Sequence, residues 1–127
     1  VKIMSLLESG ENYLETILML LKTQSDVHAI DIATHLGFSK PSVSIALKKL
    51  SSDEYITIDN SSHIHLTEKG EKIATKIYER HVLLTNAFKA LGVDPTIAEE
   101  DACKIEHDLS DETFNAIKKH YNKLSNE

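Results

Sequence analysis

Three side chains with metal-binding chemistry lie close together near the end of the sequence, at Cys103, Glu106 and His107. Their spacing of i, i+3 and i+4 would place them on one face of a helix, within about one turn. Divalent metal ions accept thiolate, carboxylate and imidazole ligands, so the spacing indicates a metal site. The alternative is a solvated polar face with a half-buried cysteine, next to an apolar seam formed by Ala98, Ala102, Ile105 and Leu109.

Candidate ligands also occur in two other segments. His81 falls on the apolar stripe of a long helix, whose other members are Ile77, Leu84 and Phe88. Its ring nitrogens need a partner there, which is either a metal ion or an ordinary core hydrogen bond. Asn12 and Glu15 lie one turn apart in the first helical segment and could supply oxygen ligands. The alternative for this pair is the ordinary preference of a helix N-terminus for acidic and capping residues.

Periodicity and turn residues predict the elements that must position these side chains. Gly37 should end the second helix, and Ser39 should cap the third, with Pro41 in its first turn. Residues 60–62 form the turn of a hairpin, and Thr67 caps a long helix. The predicted helices cover residues 6–22, 30–36, from the Ser39 cap to about 52, 67–91, from the 92–95 break to about 109, and 110–124, and the predicted strands cover 55–59 and 63–66.

This order of elements predicts a mainly α fold that begins with a winged helix-turn-helix. We expect a DNA-binding domain over residues 1–70 and a helical metal-binding and dimerisation domain over residues 71–127. The second part is too small to bury an extensive core of its own. Self-association into a two-fold dimer would cover the apolar stripe of the last helix, which consists of Phe114, Ile117, Tyr121 and Leu124.

The third helix carries the candidate DNA contacts. Val43, Leu47 and Leu50 fall on one stripe and should pack inward, so the opposite face is left for DNA. There an apolar side chain could contact thymine methyl groups, lysines could meet phosphates, and serines could bond phosphates or base edges. The alternative is a solvated helix face with one scattered apolar residue. The candidate residues are Ser39, Lys40, Pro41, Ser42, Ser44, Ile45, Lys48 and Lys49.

Composition narrows the classes of protein to consider. The chain has 127 residues, a net charge of −6 and one cysteine, which excludes an internal disulfide framework. A negative total requires that any DNA contact come from a local basic patch. No apolar run approaches the ~18 residues of a membrane span, and no signal pattern precedes the first helix. We therefore expect a cytoplasmic protein that does not associate with membranes.

Five sequence segments resemble the iron- and manganese-dependent repressors, the family of the diphtheria toxin repressor and the manganese transport regulator. The segments are Asn12-Tyr-Leu-Glu15, Ser39-Lys-Pro-Ser-Val43, Leu66-Thr-Glu-Lys-Gly70, Arg80-His81 and Cys103-Lys-Ile-Glu-His107. The resemblance implies that the metal ligands are Asn12, Glu15, His81, Cys103, Glu106 and His107. Cys103 follows the iron-type pattern and Glu15 the manganese-type pattern, whereas Asn12 is the usual residue of neither. Thr85 replaces a glutamate of the iron-type ancillary site.

The sequence thus predicts a metal-dependent repressor that is not an enzyme. We expect it to bind a palindromic DNA operator as a homodimer when Fe(II) or Mn(II) is bound, with Zn(II) as a further candidate, and so to control metal homeostasis. One alternative is a metal-independent winged-helix regulator that senses a small molecule or oxidation at Cys103. Another is a structural zinc site built from the same residues.

Overall fold

A computed structural model describes residues 2–125, with the side chains of residues 2–7 outside that description. The chain consists of six helices and one hairpin within these residues. In order they are α1 Lys2–Thr23, α2 Ala29–Leu36, α3 Lys40–Ser52, β1 Ile56–Ile58, β2 Ile64–Leu66, α4 Glu68–Ala90, α5 Pro95–Ile105 and α6 Asp111–Ser125. The described residues divide into two compact units, one up to Lys76 and the other from Ile77 onward.

Local signals in the sequence set the bounds of α2 and α3. Gly37 ends α2 in the left-handed conformation, with a φ of 71°, which a side chain would disfavour. The Ser39 hydroxyl accepts a hydrogen bond from the Ser42 backbone N–H, and Pro41 lies in the first turn of α3. The predicted winged helix-turn-helix order is therefore confirmed.

The first unit is built around one apolar core. Helices α1, α2 and α3 and the antiparallel hairpin all pack residues into this core. In the hairpin, Ile56 pairs with Leu66 and Ile58 pairs with Ile64. Ile56 and Ile64 are buried, whereas Ile58, which lies on the same face of the hairpin, is exposed at the end of β1 next to the turn. The core residues are Tyr13, Leu14, Ile17, Val27, Ile32, Ala33, Val43, Leu47, Leu50, Ile56, Ile64 and Ala74.

A close contact joins the hairpin to the start of α4. The Thr67 hydroxyl lies 2.7 Å from the Glu54 carbonyl oxygen and 3.0 Å from that of Tyr55, and it accepts a hydrogen bond from the Gly70 N–H. A Cβ added at Gly70 would overlap the Tyr55 carbonyl oxygen. Residue 70 must therefore be glycine for the hairpin to lie against this helix.

Buried residues of the second unit come from all three of its helical segments. They include Ile77 and Leu84 from α4, Ala98 and Ala102 from α5, and Phe114 from α6. No helix within the described residues is long and apolar enough to cross a membrane.

Candidate metal centre

A fully buried carboxylate lies between two imidazoles in the second unit. Glu106 is 0 % exposed, and its Oε2 lies 2.9 Å from Nδ1 of His81 on α4. Its other oxygen, Oε1, lies 3.4 Å from Nε2 of His107, whose side chain is also buried. His81 and Glu106, which are 25 positions apart in the sequence, are thus brought together. A buried carboxylate is costly unless a cation or hydrogen-bond donors compensate it, so this arrangement suits a divalent cation.

Among the described residues, one carboxylate oxygen of Glu106 lacks a hydrogen bond, which also favours a bound metal ion. Oε1 is buried and accepts no hydrogen bond from the described residues, since the His107 contact falls outside hydrogen-bond geometry. Buried polar atoms without a hydrogen bond are uncommon, and a bound ion is one explanation for them. Imidazole nitrogen and carboxylate oxygen are both ligands of Mn(II), Fe(II) and Zn(II).

Arg80 fixes the main chain around Glu106. It is 4 % exposed, and Nη1 donates hydrogen bonds to the carbonyl oxygens of Glu106 at 3.0 Å and Leu109 at 2.6 Å. Nη2 donates to Oδ1 of Asp111 at 2.6 Å. Adjacent residues of α4 therefore hold both parts of Glu106, Arg80 its main chain and His81 its carboxylate. In the sequence, Arg80 stands out only as part of the Arg80-His81 motif, and nothing there indicates this role.

Helix α5 ends earlier than its periodicity predicts. The sequence favoured a helix to about residue 109, but α5 ends at Ile105 and residues 106–108 form a turn. The guanidinium of Arg80 donates hydrogen bonds to the carbonyl oxygens of Glu106 and Leu109. These carbonyls therefore have partners without further helical hydrogen bonds, and the chain can leave helical geometry here. Glu106 and His107 consequently lie just beyond the helix that carries Cys103.

The remaining candidate on α5 lies at the surface. Cys103 is exposed, whereas Glu106, three residues later, is fully buried. Another acidic side chain faces the same histidine, because Oε1 of Glu99 lies 3.9 Å from Nε2 of His81. Glu99 precedes Cys103 by four residues and so shares its helix face, which is the signal that could have identified it.

The two candidates in the first unit lie on α1. Glu15 is only 6 % exposed, and Asn12, one turn earlier, is partly buried. Tyr13 lies between them in sequence, and burial raises the pKa of its phenol. A carboxylate among the core residues of a helix is unusual, because charged side chains are rarely buried without a function or a partner.

The outward face of α3 is as the sequence predicted. Val43, Leu47 and Leu50 are buried, and Ile45 is 72 % exposed. Ser39 has a structural role as the cap of the helix, and its hydroxyl also lies 2.9 Å from that of Ser42. The other candidate DNA contacts, Lys40, Pro41, Ser42, Ser44, Lys48 and Lys49, are all exposed.

Comparison with known families identifies both halves of the chain. Residues 5–64 match the N-terminal DNA-binding domain of iron-dependent repressors. Residues 67–127 match the metal-binding and dimerisation domain of the same repressors.

Individual relatives agree with these matches. The transcriptional regulator MntR of Escherichia coli O6:H1 is 36 % identical over 108 residues, which are 85 % of this chain and 70 % of that protein. The solved structure of the manganese regulator SloR aligns with a TM-score of 0.78 and 28 % identity over 89 % of this chain. A manganese-dependent transcriptional repressor solved with manganese aligns with a TM-score of 0.78 and 25 % identity over 87 % of this chain.

The chain spans about half the length of these solved structures, 53 % of the first and 51 % of the second. The matched families and relatives are transcriptional regulators and not enzymes. They carry a DNA-binding domain followed by a metal-binding domain that dimerises, in the order predicted from the sequence. The chain belongs to the iron-dependent repressor family of metal-dependent transcriptional regulators.

Proposed function

We propose that the protein represses transcription by binding a palindromic operator as a homodimer when Mn(II) or Fe(II) is bound. The observation that carries this proposal is the buried Glu106 carboxylate between the imidazoles of His81 and His107. Family membership favours this function over a metal-independent regulator that senses a small molecule or oxidation at Cys103. In this proposal the protein acts in the cytoplasm, with residues 1–70 binding DNA and residues 71–127 binding metal and dimerising.

The proposed ligands are His81, Cys103, Glu106 and His107, completed by Asn12 and Glu15. The last two rest on the resemblance of the first helix to the family and on the burial of Glu15. Mn(II) is supported by the manganese regulators among the structural relatives, and by the preference of this ion for oxygen-rich sites. A thiolate at Cys103 would instead favour Fe(II) or Zn(II).

Metal dependence follows if the ligands come from both halves of the sequence. Residues that share one ion bind it better in one conformational state than in others, and that difference in affinity stabilises the state. If the DNA-binding state is the favoured one, metal and DNA each raise the affinity for the other by the same factor. Coupling free energies of this kind are about 1–3 kcal/mol, which corresponds to a roughly 5- to 150-fold change in DNA affinity.

The test is a DNA-binding titration of the full chain with and without metal. A duplex selected from a randomised pool in the presence of Mn(II) serves as the probe, and fluorescence anisotropy measures its affinity. We expect chelation to abolish specific binding and added Mn(II) or Fe(II) to restore it. Equal affinity with and without metal would refute the proposal.

Two glutamate variants make the test specific to the site. Glu106→Gln keeps the shape of the side chain but removes a charged ligand, so it should bind the duplex weakly at every Mn(II) concentration. Glu79→Gln is the matched control, because Glu79 is an exposed residue of α4 whose carboxylate pairs with Lys118 at 3.3 Å. It should respond to Mn(II) as the unmodified protein does.

A further inference from the structure

A largely apolar cavity lies between α1 and α3 in the first unit. It has a volume of about 210 Å³. Its lining includes Leu14 of α1 and Leu50 of α3, which are both buried. Ala46 of α3 and Ile73 of α4 also line it and are half-buried. The core of this unit therefore leaves an apolar space beside α3 instead of closing completely.

One glycine of α1 keeps this cavity open. Gly10 lines it, and a Cβ added there would meet Cδ2 of Leu50 at 3.7 Å, which is an ordinary contact. The backbone of Gly10 does not lie in the left-handed region, in contrast to that of Gly37. Neither its conformation nor a close approach thus requires glycine. Because glycine within a helix is less favourable than alanine, local stability favours a side chain at residue 10, whereas an open cavity requires its absence.

The size of the cavity suits a single aromatic ring. An apolar cavity of about 150 Å³ is large enough to bind benzene, and such cavities hold water poorly. The larger volume in this protein leaves room for a ring with one small substituent. Tyr13 and Tyr55 belong to the lining as well, and aromatic side chains pack favourably against a further ring in edge-on or offset geometry.

The charged residues of the lining favour a positive substituent on that ring. They are the carboxylates of Glu11 and Asp53 and the ammonium group of Lys49. Lys49 and Asp53 are exposed and pair at 3.5 Å, which places them at the mouth of the cavity. Two negative groups and one positive group attract an ammonium ion and repel a carboxylate. The faces of tyrosine rings attract ammonium ions too.

We propose that this cavity binds a small aromatic amine, with its ring between α1 and α3 and its ammonium group at the mouth. The site consists of other residues than the candidate metal centre and does not depend on the function proposed above. An occupant would contact the inner side of α3, whose outer face carries the candidate DNA contacts. A ligand whose affinity differs between the free and DNA-bound states changes the affinity for DNA by the same factor.

The experiment titrates the metal-free full chain with benzylamine and follows the ¹³C-labelled methyl groups of leucine and isoleucine. We expect saturable shifts for Leu14, Leu50 and Ile73, with a Kd of about 1 mM or below, which a ligand of about eight non-hydrogen atoms can reach. Benzoate has the same ring and the opposite charge, so it should bind at least about fivefold more weakly. The methyl signals of Leu124, an exposed residue of α6, should not shift.

Leucine substitutions on the two walls locate the site. Gly10→Leu fills the cavity from α1 and Ala46→Leu fills it from α3, so each should abolish saturable binding of benzylamine. Gly10→Leu should also raise the melting temperature, because leucine is the stronger helix former. Thr34→Leu is the matched control, since it adds a leucine at an exposed position of α2 outside the cavity and should leave binding unchanged.

Three outcomes would overturn the proposal. They are methyl shifts that do not saturate in the unmodified protein, benzoate binding as tight as that of benzylamine, and saturable binding that persists in both Gly10→Leu and Ala46→Leu. The first outcome can be observed without any variant, so the proposal can be refuted even where a substitution prevents folding.

Discussion

Replacement of Arg80 by methionine should destabilise the second unit strongly. Methionine keeps an unbranched apolar chain but leaves the carbonyls of Glu106 and Leu109 without their donor. Hydrogen bonds from a charged group contribute about 1.5–3 kcal/mol each, so these two account for roughly 3 kcal/mol or more. Asp111 is 66 % exposed, and its ion pair adds at most about 1 kcal/mol. A loss of this size should lower the melting temperature by about 10 °C.

The same substitution should weaken metal binding, because Arg80 holds the main chain of Glu106. Residues that orient a ligand change metal affinity by roughly 10- to 100-fold when they are replaced. Thermal denaturation followed by circular dichroism measures the first effect, and Mn(II) titration well below the melting temperature measures the second. Lys118→Met is the control, since it removes an exposed ion pair with Glu79 and should change stability by less than about 1 kcal/mol.

The outcome that would refute this reasoning is specific. If Arg80→Met melted within about 2 °C of the unmodified protein, the two carbonyl hydrogen bonds would contribute far less than about 3 kcal/mol. If it lost stability but bound Mn(II) normally, Arg80 would support the fold without positioning Glu106.

Four further substitutions test the first unit. Gly70→Ala should cost more than about 2 kcal/mol in urea denaturation, because its Cβ would overlap the Tyr55 carbonyl, whereas Gly10→Ala meets only an ordinary contact and should be stabilising by about 0.5–1 kcal/mol. Ser39→Ala should cost about 1 kcal/mol by thermal denaturation through loss of the α3 cap. Asp59, with a pKa lowered from 3.8 to about 2, stabilises the fold above pH 3.8 and loses that effect as pH falls towards 2. The difference in urea midpoint between the unmodified protein and Asp59→Asn should therefore shrink over that range.

The fold of the first unit could be predicted because its signals are local. Gly37, the Ser39 cap and Pro41 define the helix-turn-helix within five residues, and apolar spacing separates the inner and outer faces of α3. Each of these signals depends only on neighbouring residues, and each feature lies in the structure where the sequence predicted it. The strands are shorter than predicted, with three residues each, because Asp59 and His63 belong to the connection between them and Tyr55 precedes β1.

The candidate site was only partly predictable, because its contacts join distant residues. Spacing identified Glu106 and His81 as candidates but could not show that they touch across 25 residues. Helical periodicity placed Glu106 and His107 inside α5, since nothing in that segment reveals that Arg80 takes its terminal carbonyls. Whether the six candidate ligands bind a common ion stays a prediction.

The exposure of Ile45 has a consequence for how the operator preference of such a protein could change. A side chain that is 72 % exposed contributes little to the folding free energy, and Lys48 beside it is exposed as well. Surface substitutions of this kind alter stability by about 0.5 kcal/mol or less. The buried stripe of Val43, Leu47 and Leu50 would keep the helix in place while the outer residues vary. New base preferences could therefore arise at these positions one substitution at a time, each through a variant that still folds.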